Sequence, residues 1–412
     1  MRITKKQAVH YMLAYQNLLF PDKLQGKEGI LDYMGKVGCV QYDPLDVAGY
    51  NSHLVLQSRI KQYRSEYLQE LLYVERKLLD GWDKNMAIYS VQDWPYFERY
   101  RREAFERYGD TFKEMETVLN TIRKAIDTKG PLSSIDIEVD GTIDWAWAPT
   151  RIARAALESM YFWGEFIIHH KVGTRKFYDF TNKHIHHDLY LKPDPNVTME
   201  AYFQWHVKRR IGALGLLWNR PSDAWLGIHW MKSKDRTVAI IELEKRREII
   251  AIEVEDIDQP LYIRAEDISL FHQVINSEIE EVRASFIAPL DNLLWDRKLI
   301  KEIFGFEYTW EVYKPASERK FGYYVLPVLY GGQFVARLEP KFHKKTKTLE
   351  IVNWWWEPDI LVSEELKKAL LECMMEFVMY LGAAKVVLNS ERNAVKDLNW
   401  LKELLEKQAQ HD

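Results

Sequence analysis

Gln41-Tyr42-Asp43 is the stretch whose residue types and spacing suit bond-breaking chemistry. In extended backbone, residues two apart lie on one face. The Gln41 carboxamide and the Asp43 carboxylate then share a side, and Tyr42 takes the other. A carboxylate and an amide so placed can hold a water molecule and draw a proton from it. Pro44 keeps Asp43 out of the helical region. The structural alternative is that Asp43 opens an Asx-Pro turn and Gln41 is solvated.

The run Gln41-Tyr-Asp-Pro-Leu-Asp-Val47, with His53 and Ser58-Arg59 downstream, resembles a known motif. It is the Gln-x-Asp motif (x apolar or aromatic) of the YcaQ/AlkX branch of the winged-helix DNA glycosylases, whose sister AlkZ branch carries Gln-x-Gln there. Three later runs resemble further blocks of that family: Ala288-Pro-Leu-Asp-Asn-Leu-Leu-Trp-Asp-Arg297, Phe304-Gly-Phe-Glu-Tyr308 and Gly322-Tyr-Tyr-Val-Leu-Pro327. The likeness runs in order from about Gly38 to Trp356. It implies a monofunctional DNA glycosylase that removes bulky N7-alkylguanines and unhooks interstrand crosslinks, acting as a crosslink-repair enzyme. Asp43 and Gln41 would be its catalytic residues. A cationic N7-alkylated guanine departs neutral and needs no general acid, so one ionised carboxylate and a water-orienting partner suffice. An ordinary aqueous carboxylate pKa already suits that role. The rival from another class is a winged-helix transcriptional regulator without catalysis, which would need symmetry for palindromic half-sites.

The resemblance has gaps. Many relatives carry His-Glu-Ala in the first wing, where this chain has Asp83-Lys84-Asn85-Met86-Ala87. The family's Gly-Arg-x-Asp-Pro-Lys block appears as Ala336-Arg337-Leu338-Glu339-Pro340-Lys341, with Arg337 and Lys341 kept and a longer acid.

The elements that must position the pair can be read from periodicity. Thr4 caps a helix through Val9, Met12, Leu13 and Gln16. Helices follow near Lys27–Lys36 and over Ser65–Tyr73, then strands over 77–82 and 85–89. Helices followed by a hairpin recur at 151–160 with 164–171 and 175–180, and at 236–245 with 248–254 and 260–264. A long charged helical stretch covers 93–126, with Arg99, Arg102 and Arg123 on a solvated face, and 188–196 reads as a linker. Strands are expected over 308–313, 322–329, 333–338 and 348–355, with Gly331-Gly332 as a hairpin turn. Helices at 363–380 and 391–408 flank a strand at 385–388. The fold class is α+β: three tandem winged-helix units and a C-terminal β-rich domain with terminal helices. The divisions are 1–92, 93–190, 191–284 and 285–412.

Candidate DNA contacts are His53 and Arg59, the cluster Lys208-Arg209-Arg210, Arg319 and Lys320 with Tyr323 as a possible wedge, and Arg337 with Lys341. For Arg59 the second reading is a structural ion pair. His53 could instead support Asp43, and its structural reading is a core or helix-surface histidine. His184, His186 and His187 have no cysteine near, so no metal is expected. There is no phosphate-binding glycine loop, CxxC pair or nucleophile elbow, and no cofactor is expected.

A net charge of −4 argues against non-specific coating of nucleic acid, while leaving room for a local basic surface. The two cysteines lie far apart, no apolar run reaches membrane-spanning length, and no secretory segment leads the chain. The expected setting is the cytoplasm, and the expected partner is duplex DNA bearing an alkylated guanine. A monomer away from any membrane is expected.

Overall fold

The structure is a computed structural model that describes residues 1–113, 116–145, 148–389, 397–401 and 403. It is α+β and divides into two compact units. The first comprises Met1–Leu68, Trp82–Ile88 and the chain from Phe203 onward; the second comprises Gln69–Gly81 and Tyr89–Tyr202.

The first unit opens with helix Lys5–Tyr15. Its Thr4 hydroxyl accepts from the Gln7 amide, and Gln7 reaches back to the Thr4 N–H, a reciprocal capping box. Helix Gly26–Val37 then leads into strand Cys39–Gln41. That strand pairs with the strand Asn85–Ser90, whose first four residues lie in this unit. A second sheet follows helix Met199–Leu214 and packs on helix Ser233–Lys245. Its antiparallel strands Ile249–Val254 and Leu261–Arg264 are flanked by Leu217–Trp218 on one edge and by Arg2–Ile3, in parallel, on the other.

The five-stranded sheet runs Ala284–Phe286, Leu326–Tyr330, Gln333–His343, Thr348–Trp356, Lys385–Leu388. The first three junctions are antiparallel and the last is parallel. Gly331, at φ +56, lies in the two-residue turn where Tyr330 pairs with Gln333. Helix Glu364–Leu381, capped by Ser363, makes the parallel connection. It buries Leu370, Met374 and Phe377, and the Phe377 ring meets Phe286 edge-on at 5.3 Å.

The second unit is centred on helix Ile152–Phe162 and the hairpin Phe166–Val172 with Arg175–Phe180. Its core gathers Phe112, Ile122, Ile126, Leu157, Met160 and Phe166. An isolated bridge from Leu132 to Tyr178 extends the hairpin.

Several expectations change. The stretch 93–126 forms a 3-10 turn, Val91–Phe97, and two helices, Glu98–Lys113 and Glu116–Lys129. Its Arg99 is not simply solvated: the guanidinium binds the Asp194 carboxylate and the carbonyls of Asn196 and Val197, which ties down part of the expected linker. Residues 308–313 form no strand. The Glu311 carboxylate accepts the Lys320 and Phe321 amides at 3.1 and 2.9 Å and folds the segment into a loop. The expected terminal helix over 391–408 lies largely outside the described residues.

Candidate active site

Strand Cys39–Gln41 ends at Gln41, two residues short of the alternation expected through Asp43. Tyr42 still donates its N–H to Met86 at 2.9 Å, but Pro44 then turns the chain. Asp43 Oδ1 accepts from the Leu45 amide at 2.9 Å, the Asx turn of the structural alternative. That turn uses one carboxylate oxygen. The side chain stays half-buried, with no cation paired to it among the described residues. Burial pushes the Asp43 carboxyl above its ordinary value, and the Leu45 N–H only partly offsets this. The normal pKa expected from sequence is thus corrected upward.

The strand is clamped from behind. Asn51, at the start of helix Asn51–Gln57, donates to the Gln41 carbonyl at 2.8 Å and accepts the Leu290 amide at 3.0 Å. Asn292 donates to the Cys39 carbonyl at 2.9 Å. The block Ala288–Arg297 is therefore the buried backing of the Gln41 strand. In front, the loop after Asp43 is sewn to the long hairpin. Phe342 N–H binds the Val47 carbonyl at 2.9 Å, and Lys344 pairs with Asp46. Gly49, at φ +103, lies so close to Tyr380 that a Cβ would meet its hydroxyl at 2.0 Å. Gln41 itself is buried, and its Oε1 accepts from Lys84 Nζ at 3.0 Å.

An exposed aromatic ring stands within electrostatic reach of Asp43. Tyr313 is 84% exposed. Partial desolvation, then the negative charge of Asp43, pushes its phenol up. Tyr323 is 38% exposed; its N–H donates to Glu339 at 2.7 Å, and Arg319 lies 4.9 Å over its ring.

The expected DNA contacts divide into two groups. Arg59 is fully buried and binds Asp291 through two nitrogens at 2.8 Å, with further bonds to Gln16, Val55 and Ser58. It is a structural ion pair, because burial without those partners would strand a charge. Arg210 is equally buried, on Asp83 at 2.5 Å and the Leu226 carbonyl. Arg209 shares Asp83 and also holds the Gly38 carbonyl. Burial alone would raise the Asp83 carboxyl, but Arg210 and Arg209 overcome it and hold the group far below the usual range. Arg337 is buried between the Phe306 and Phe321 rings and pairs with Glu357. His53 is buried, with Nδ1 2.7 Å from the Tyr63 hydroxyl. All five side chains are buried and held by partners within the protein. Lys320 and Lys341 are exposed, Arg319 is half-exposed, and Lys208 is partly exposed beside Glu248 and Glu266.

The histidine run scatters in the second unit. His184 binds Asp179 at 2.8 Å, while His186 and His187 are exposed beside Asp188. Among the described residues no group of three or more His, Cys, Asp or Glu is arranged to hold a metal, and no helix is long and apolar enough to cross a membrane.

Sequence reasoning did not single out Asn51, Asn292, Lys84 or Tyr313. Asn292 lay inside a quoted block and Lys84 inside a noted departure, but neither signal named a contact.

The Streptomyces sahachiroi DNA glycosylase AlkZ has a similar fold: TM-score 0.61 at 13% identity, over 94% of this chain and 100% of that one. The profile of the family described as "DNA glycosylase AlkZ-like" matches residues 34–378, a span that contains Gln41, Asp43 and their backing block. By that match the chain belongs to the AlkZ-like DNA glycosylases.

Proposed function

We propose that this glycosylase hydrolyses the N-glycosidic bond of N7-alkylguanines in duplex DNA, including those that crosslink the strands, with Asp43 and Gln41 as the reacting pair. The observation that carries the reading is a half-buried carboxylate, unneutralised by any cation among the described residues, two residues beyond a fixed glutamine. A negative charge in a partly dry site stabilises positive charge developing on the sugar more than it would in water. Water oxygen bonds to C1′, and the C1′–N9 pair leaves with the guanine and cancels its positive charge. The water proton passes to Asp43. Gln41 orients the water.

The three helix-and-hairpin segments are read as winged helices, with 1–92, 93–190 and 191–284 as the divisions that hold them and 285–412 as the β-rich domain with the C-terminal helices. Strand order supports this in two of them, where the hairpin strand nearest the first short strand is the later one. Lys320, Lys341, Arg319 and Lys208 are the remaining candidates for phosphate contacts, and Tyr323 for a wedge. The protein acts as a cytoplasmic monomer in this reading.

The test is a labelled duplex with one N7-alkylguanine, incubated with the protein, treated with alkali and sized. A break at the adduct, lost in Asp43→Asn, supports the proposal. Wild-type cleavage by folded Asp43→Asn would return Asp43 to a turn residue.

A further inference from the structure

The turn Asp83-Lys84-Asn85, where this chain lacks the His-Glu-Ala run, is held inward by three constraints. Arg209 and Arg210 grip the Asp83 carboxylate. Gly227, at φ +79, packs so tightly that a Cβ would lie 1.9 Å from the Asp83 carbonyl oxygen. Asn85 takes a left-handed φ of 58°. From this turn the Lys84 side chain, 4% exposed, crosses the Trp295 ring at 4.9 Å and donates to Gln41 Oε1 at 3.0 Å. An ammonium only donates, so it can meet only the carbonyl end of the carboxamide. Gln41 Nε2 has no protein hydrogen bond among the described residues and is not sealed from solvent.

We infer that Lys84 is a positioning residue for excision: by holding the Gln41 carbonyl, it turns the carboxamide N–H groups toward the water that Asp43 deprotonates. The inference rests on the proposed roles of Gln41 and Asp43. A water that accepts from Gln41 Nε2 keeps one lone pair for C1′ and a proton for Asp43. With the carboxamide reversed, Gln41 would compete with Asp43 for that proton.

The charge on Lys84 is sensitive to pH. Burial pulls its ammonium down to about 8; Arg210 and Arg297 push the same way, while the Asp223 carboxylate opposes them, and the Cys39 thiol nearby is itself pushed up to about 12 by burial and stays neutral. Asp83, the nearest carboxylate in sequence, is already paired to Arg209 and Arg210. Above that pH the neutral amine can accept as well as donate, and the carboxamide is free to reverse.

The test is single-turnover excision from a duplex with one N7-alkylguanine. Lys84→Met should slow excision about 10- to 100-fold, the scale of a misplaced reacting group, with duplex affinity and thermal unfolding near wild type. Lys84→Arg should recover most of the rate. In a Gln41→Ala background Lys84→Met should cost nothing further, because it acts through Gln41. A wild-type rate in Lys84→Met, or losses that multiply in the double variant, overturns the inference. Should Lys84→Met not fold, the wild-type pH profile decides between the outcomes. A fall in rate through about pH 8 that Gln41→Ala lacks supports it, and a flat profile overturns it. If Gln41→Ala and Asp43→Asn both keep the wild-type rate, the site reading itself fails. If they are slow and Lys84→Met is not, only this inference fails.

Discussion

Asp43 and Asp291 are both aspartates that accept a backbone amide two residues on, at 2.9 Å. Their other surroundings are opposite. Asp291 is fully buried and bound by both terminal nitrogens of Arg59. Asp43 is half-buried and has no cation among the described residues. A buried carboxylate paired to a guanidinium is fixed in charge and place, and its removal is a stability event. A carboxylate left without a cation keeps a negative potential available to something that arrives later. The same residue type thus supports structure in one place and, in the proposal above, chemistry in the other.

The comparison can be broken by the variant with the largest expected effect. Asp43→Asn preserves the turn, since the amide oxygen still accepts from Leu45, and removes the charge. Excision should fall by about two to four orders of magnitude, with duplex affinity nearly unchanged. Next is Arg59→Met, which leaves Asp291 buried and unpaired. It should lower unfolding free energy by about 3–5 kcal/mol, read as a shift of the urea midpoint. If this variant were as stable as wild type yet weak on DNA, Arg59 would be a phosphate contact after all.

Smaller effects sharpen the division between inward and outward cations. Replacing Lys320 and Lys341 by alanine should weaken binding about equally across sequences. It should lower the salt slope by about 0.9 for each phosphate no longer neutralised. Replacing Arg210 should reduce the folded fraction instead, because it leaves Asp83 underpaired. A changed salt slope with normal stability in the Arg210 variant would contradict the buried geometry.

The smallest effects concern pH. Excision should decline as Asp43 is protonated, at a pH above that for a free aspartate side chain, because burial raises its pKa. The same shift makes a stability statement. A carboxyl whose folded pKa exceeds its unfolded value favours folding in acid, and that contribution is lost as pH rises through the folded pKa. Asp43→Asn should therefore unfold at a slightly higher urea concentration than wild type near neutral pH. A lower midpoint would mean that Asp43 has a cationic partner in solution.

Much of the architecture follows from local pattern. The Thr4 capping box, the helix Ser65–Tyr73, the Gly331-Gly332 turn and the strand Lys385–Leu388 each rest on residues adjacent in sequence. Periodicity and turn chemistry suffice for these because the forces that fix them act within a few residues. The motif Gln41–Asp43 stood out by its resemblance to a family and not by periodicity, and its part in the chemistry is a proposal. Only the tertiary structure decided which charges face outward. Arg59 meets an aspartate 232 residues away, Arg210 one 127 residues away, and Gln41 a lysine 43 residues away. A long cationic side chain reads the same in sequence whether it ends in water or in a buried carboxylate. What separates the two is whether the fold brings a partner close enough to offset desolvation.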